Sequence, residues 1–87
     1  MYVIMVYDIQ VERVTKVLKI ARRYLTWVQN SVLEGPLTRT QFQRLQKEVQ
    51  RVIDEEADSV LFYTLRSEKD LRRVHLGIQK GEPDFFV

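Results

Sequence analysis

The chain has 87 residues, 14 of them basic and 12 acidic, with a net charge of +2 and no cysteine. That length supports one domain with a single core, in which roughly 60–65% of the unfolded chain's surface is buried. The lack of cysteine excludes a disulfide framework and a thiolate metal site, and it suits a reducing cytoplasm. No apolar run approaches the roughly 20 residues of a membrane span. The N-terminus shows neither a basic n-region nor a small-residue cleavage site. A cytoplasmic protein without membrane attachment is therefore expected.

The distribution of charge says more than its sum. Residues 9–53 carry Arg13, Lys16, Lys19, Arg22, Arg23, Arg39, Arg44, Lys47 and Arg51 against only Glu12, Glu34 and Glu48. Residues 54–70 reverse the balance, with Asp54, Glu55, Glu56, Asp58, Glu68 and Asp70 against Arg66 and Lys69. A basic front half suggests a polyanion partner on one surface, while ordinary solvated helix faces would give the same composition.

Tyr2–Asp8 is an unbroken apolar and aromatic run that ends in a carboxylate. It is too short for a globular helix and rich in strand formers, so it reads as a central strand. Val3, Met5 and Tyr7 would point to one face, and Tyr2, Ile4, Val6 and Asp8 to the other. Residues 11–25 read as an amphipathic helix, with Val14, Val17, Leu18, Ala21, Tyr24 and Leu25 on one face of about 120°. Its basic residues Arg13, Lys16, Lys19, Arg22 and Arg23 lie off that face, placed to follow a phosphate backbone.

Residues 26–37 form a second β region. Trp27, Val28, Val32 and Leu33 suit two short strands with a tight bend at Asn30, or one bent strand. Gly35-Pro36 should weaken the pairing, because proline lacks the ladder N–H. Residues 38–53 form the second helix, opened by a Thr38/Gln41 capping box and striped by Phe42, Leu45, Val49, Val52 and Ile53. The acids at 54–58 are expected in an exposed loop, since carboxylates oppose the dipole at a helix C-terminus. Ser59–Leu65 is another strand apolar on both faces. Residues 67–73 suggest a short helical turn, and residues 74–78 a weak last strand with Gly77 at a bulge or edge. Residues 79–87 read as a tail whose Phe85-Phe86-Val87 would dock on something.

The order β-α-β-β-α-β predicts an α+β, ferredoxin-like sandwich over residues 1–78, with an extra C-terminal strand and the tail at 79–87. Two helices cover one sheet face. The apolar outer face of the first and last main strands then calls for a second copy, giving a homodimer packed sheet to sheet.

Most catalytic sets are missing. His75 is the only histidine, which excludes a two-histidine metal site or histidine pair within one chain. Ser31 has no evident base and suits a turn. Asp8 stands out as either a helix-start residue or a functional acid. One carboxylate holds Mg²⁺ poorly, but the expected dimer would let Asp8 of both chains share one ion.

Val6-Tyr7-Asp8, the run from Val28 to Gly35 and Asp58-Ser59-Val60 resemble the small CRISPR-associated endonuclease family. These proteins form the ferredoxin-like bridging subunit of the spacer-integration complex. Leu33 stands where many members have Phe, and Trp27 where some have Arg. The resemblance implies a homodimer that binds duplex DNA and bridges integrase subunits. It also implies Mg²⁺-dependent cleavage of single-stranded RNA or double-stranded DNA centred on Asp8. Tyr7 and Ser31 would support the site, and Arg13 and Lys16 match basic positions of the first helix. The alternatives are a non-catalytic DNA-binding scaffold and a small RNA-binding module.

Overall fold

The structure is a computed structural model that describes residues 1–78. Four strands form one antiparallel sheet in the order β2-β3-β1-β4: β1 is Tyr2–Asp8, β2 Thr26–Gln29, β3 Val32–Pro36 and β4 Ser59–Leu65. Helix α1 (Val11–Ala21) connects β1 to β2, and α2 (Arg39–Gln50) connects β3 to β4. This is the ferredoxin-like α+β arrangement expected from the order of elements.

β1 lies inside the sheet because both of its faces are apolar. It pairs along its full length with β4, from Tyr2 opposite Leu65 to Asp8 opposite Ser59, and with β3 from Tyr2 opposite Pro36 to Val6 opposite Val32. Gly35 and Pro36 thus remain in register with Val3 and Tyr2 instead of loosening the ladder. Pro36 is tolerated because it is the last residue of its strand. The bend at Asn30 separates β2 from β3, and Asn30 takes a positive φ of 20°, which asparagine accepts more readily than most side chains.

Val3, Met5 and Tyr7 face the helices and meet Val17, Ala21, Leu25, Leu33, Leu45 and Val49 in one core. Val3, Met5, Val17, Leu33 and Leu45 are fully buried, and each such side chain contributes about 1.5–3 kcal/mol of transfer free energy. Phe42 of α2 meets Phe62 of β4 edge to face, with ring centroids 5.2 Å apart, which pins the second helix over the edge strand.

Both helices end earlier than their apolar stripes suggest, at Ala21 and Gln50. Leu25, Val52 and Ile53 still pack on the core, but from the turns that follow. The start of α2 is as expected. The Thr38 hydroxyl accepts from the Gln41 N–H at 3.1 Å, and the Gln41 side chain accepts from the Thr38 N–H at 2.9 Å. The expected turn after β4 is a single 3₁₀ turn at Glu68–Asp70, capped by Ser67.

The expected strand at 74–78 does not form. Those residues are irregular, and Val74, Leu76 and Ile78 are 81–88% exposed. A strand needs a free ladder to pair with, and the segment instead crosses the open sheet face. Arg73 reaches Glu34 of β3 at 2.6 Å, and the Ile78 carbonyl accepts from the Gln29 side chain of β2 at 3.3 Å. Glu34 is buried there and also accepts from the Tyr2 hydroxyl at 2.6 Å. Burial, followed by the bond to Glu34, pushes the Tyr2 phenol well above the ordinary tyrosine value. Part of the second apolar face is therefore covered by the chain itself, while Leu61 and Tyr63 stay 51% and 55% exposed. The expected tail at 79–87 lies outside the described residues.

Thr38→Ala removes one half of the reciprocal cap and should destabilise the fold by about 0.5–2 kcal/mol in chemical or thermal denaturation, with the same spectrum when folded.

Candidate functional site

Asp8 is exposed at the end of β1, where the ladder with Ser59 closes. Its carboxylate has no hydrogen bond or ion pair among the described residues. Tyr7 points the opposite way, into the helix layer, as strand alternation requires. Its N–H donates to the Ser31 carbonyl at 3.0 Å and its hydroxyl to the Asn30 carbonyl at 3.1 Å. The Trp27 indole N–H donates to the same Asn30 carbonyl at 2.7 Å. Burial pushes the Tyr7 phenol up. Tyr7 is thus a neutral clamp that holds the β2–β3 turn against the end of β1. Ser31 joins this cluster through its backbone.

What fixes the loop after Asp8 is a residue that sequence reasoning placed in an exposed acidic loop. Asp58 is buried, and its side chain is fully enclosed. One carboxylate oxygen accepts from the Gln10 N–H at 2.9 Å and from Arg13 Nη2 at 3.0 Å. The other accepts from Arg13 Nε at 2.6 Å and from the Asp54 N–H at 2.9 Å. Gln10 starts α1 without a side-chain cap of its own, and a carboxylate 48 residues away accepts from the backbone N–H of this N-cap residue. The Arg13 guanidinium and the Gln10 and Asp54 N–H groups hold the Asp58 carboxyl far below the usual carboxylate range, against the opposing effect of burial.

The five basic residues of the first helix therefore differ in circumstance. Arg13 is engaged by Asp58, with Glu12 at 3.4 Å on its outer side. Lys16 and Lys19 are exposed on the outer face of α1. The Arg22 guanidinium lies over the Trp27 ring, 6.0 Å from its centroid. Arg23 donates to Glu48 of α2 at 2.9 Å, and the Tyr24 hydroxyl donates to the other oxygen of the same carboxylate. That Tyr24 bond, then Arg23, pulls the Glu48 carboxyl down. His75 is exposed.

Among the described residues, no three His, Cys, Asp or Glu side chains converge on a point that could hold a metal. Asp8 has the right ligand chemistry for a hard cation, a free carboxylate at the surface, but it is one ligand where Mg²⁺ takes one or two carboxylates plus water and phosphate. No helix among the described residues is long and apolar enough to cross a membrane.

A ferredoxin-like domain with an exposed acid at the end of its inner first strand is the class that fold and site define. The family described as CRISPR associated protein Cas2 matches residues 1–73, and the chain belongs to that family. It is 56% identical over 85 residues to a protein of Thermotoga maritima named CRISPR-associated endoribonuclease Cas2, covering 98% of each chain. A protein of the same name from Dictyoglomus turgidum is 52% identical over 82 residues, with 94% of each covered. A solved structure described as the crystal structure of cas2 superimposes with a TM-score of 0.85 at 44% identity, covering 92% of this chain and 90% of the other.

Because the Asp58 pKa is depressed in the folded state, its contribution to stability is complete above the ordinary carboxylate range. It is lost as pH falls below about 4 toward the native value. Stability measured by urea unfolding should fall steeply on that acid limb. Asp58→Asn should lower the thermal midpoint at neutral pH by roughly 5–10 °C or more and flatten the acid limb. An unaltered acid limb would remove Asp58 as its source.

Proposed function

We propose that the chain is a homodimeric, Mg²⁺-dependent endonuclease of CRISPR systems, with Asp8 as its acting carboxylate. The observation that carries this reading is the exposed carboxylate at the end of β1, without a hydrogen bond or ion pair among the described residues. It is supported by relatives that are named endoribonucleases at about half identity or better. Asp8 and Asp8 of the partner subunit would hold the ion between them. When bound, Mg²⁺ supplies polarisation of the phosphoryl group and a water of lowered pKa.

The chain's own residues prepare that site. The β1–β4 ladder fixes the backbone of Asp8 on one side. Asp58 fixes Gln10 two residues later, so the carboxylate is carried between two anchored points. Tyr7 holds the turn containing Asn30 and Ser31 against the same strand end. Lys16 and Lys19 raise the local concentration of a phosphate backbone. The dimer is supported by the apolar outer sheet face, where Leu61 and Tyr63 are more than half exposed beside Ile4 and Val6. Burying that face against a second copy gains about 25 cal/mol per Å².

A second reading is a scaffold that bridges integrase subunits on duplex DNA in spacer acquisition. Lys16 and Lys19, exposed on the outer face of α1, favour it, and it does not require cleavage. Single-stranded RNA and double-stranded DNA are both candidate substrates.

Labelled RNA and duplex DNA incubated with Mg²⁺ should be cut by the wild type. Cutting should stop in EDTA and fall at least about a hundredfold in Asp8→Asn, as expected when a metal ligand that stabilises the transition state is lost. Equal cutting by Asp8→Asn would refute the site. Sedimentation at micromolar concentration should give the mass of two chains; a stable monomer there would remove the shared ion.

A further inference from the structure

The helix layer carries a second basic feature, which shares no residue with the surroundings of Asp8. An open cleft of about 350 Å³ is lined by Tyr24, from the turn after α1, by Arg44, Lys47 and Glu48 of α2, and by Arg51 at its C-cap. That volume holds about ten water molecules, enough for an anionic group to enter with part of its hydration. Arg44, Lys47 and Arg51 are exposed, and their side chains make no hydrogen bond or close ion pair among the described residues. They follow one another at spacings of three and four, so they form one row on the helix surface.

The one acid in the cleft is already engaged. Glu48 is held by Arg23 and by the Tyr24 hydroxyl. Arg23, Arg44, Lys47 and Arg51 against Glu48 leave a local excess of three positive charges (four minus one). The negative end of α2 accounts for cations in the last turn, such as Lys47 and Arg51. It does not account for Arg44, which lies nearly two turns before Arg51. The row spans roughly 10 Å from Arg44 to Arg51, at a rise of 1.5 Å per residue. That is the axial length of about three nucleotides of one strand, at 3.4 Å each. An open row suits a polymer, because a small anion would gain no enclosing wall here.

We propose that this α2 cleft is a phosphodiester-backbone docking site, distinct from the Asp8 site and from the outer face of α1. Arg44, Lys47 and Arg51 contact successive phosphates, and Glu48 holds Arg23 and Tyr24 as a fixed wall. The proposal rests on the reading that the protein acts on nucleic acid, but not on its cutting it.

The test measures binding in EDTA, where cleavage is absent, of a 30-base-pair DNA duplex and, separately, of a single-stranded RNA of equal length, across a salt series. Arg44→Ala/Lys47→Ala/Arg51→Ala keeps good helix formers on exposed positions, and circular dichroism checks its folding. Affinity should fall about tenfold or more, and the slope of log affinity against log salt should shrink by about 2–3. Glu48→Gln should act in the opposite direction, tightening binding and steepening the slope. A loss confined to the duplex arm assigns the cleft to DNA, one confined to the RNA arm assigns it to RNA, and a loss in both assigns it to either backbone. Unchanged binding in both arms overturns the proposal. So does an equal loss from Arg66→Ala/Lys69→Ala/Arg72→Ala, which removes the same charge elsewhere on the surface. Binding is read in EDTA, without metal and without cutting, so failure of the cleavage reading and failure of the cleft remain distinguishable.

Discussion

The structure depends on one enclosed carboxylate. Asp58 ties together two parts of the chain that are distant in sequence: the first turn of α1, through the Gln10 N–H and the Arg13 guanidinium, and the turn that follows α2. A buried carboxylate is costly unless its oxygens are satisfied, and here each oxygen accepts two hydrogen bonds. The four donors come from both βα halves of the fold. Their convergence therefore sets the position of β4 relative to the β1–α1 loop, and with it the position of Asp8.

A sheet with both helices on one face leaves the other face to be covered by something else. In this protein the chain begins that cover itself. Arg73 and Tyr2 converge on the buried Glu34, and the segment continues to Gln29 at the far edge strand. The strap satisfies one polar group on the open face but leaves its own Val74, Leu76 and Ile78 outward and leaves Leu61 and Tyr63 uncovered. The apolar area still exposed is the physical basis for the proposed second copy.

The basic residues fall into two kinds once their neighbours are known. Arg13 and Arg23 each hold a specific carboxylate and organise the fold at the two ends of α1. Lys16 and Lys19 on α1, Arg44 and Lys47 on α2 and Arg51 at its C-cap face solvent without close partners among the described residues. Only the second kind is available to a polyanion at no cost to internal bonds. An excess of positive charge counted along the chain does not separate the two.

Local pattern was enough for the four strands of the sheet, the two helices and their order, but not for residues 74–78. The unbroken apolar run of Tyr2–Asp8, the stripe of Phe42, Leu45 and Val49 and the Thr38/Gln41 box are each complete within a few residues, and the structure reproduces all three. Asp8 was legible too, as a carboxylate ending an apolar run. The role of Asp58 was not, because its donors lie up to 48 residues away and a run of acids looks solvated until packing encloses one of them. Residues 74–78 alternate as a strand does, but alternation reports a face to be covered and not a partner ladder, and the anchoring of Arg73 on Glu34 sends the segment across the sheet instead. By itself, the sequence determined the elements and the acid at the end of the first strand, since these rest on short-range sterics and burial periodicity. Only the tertiary structure decided which charges are enclosed and which are free, since that depends on contacts between residues far apart in the chain.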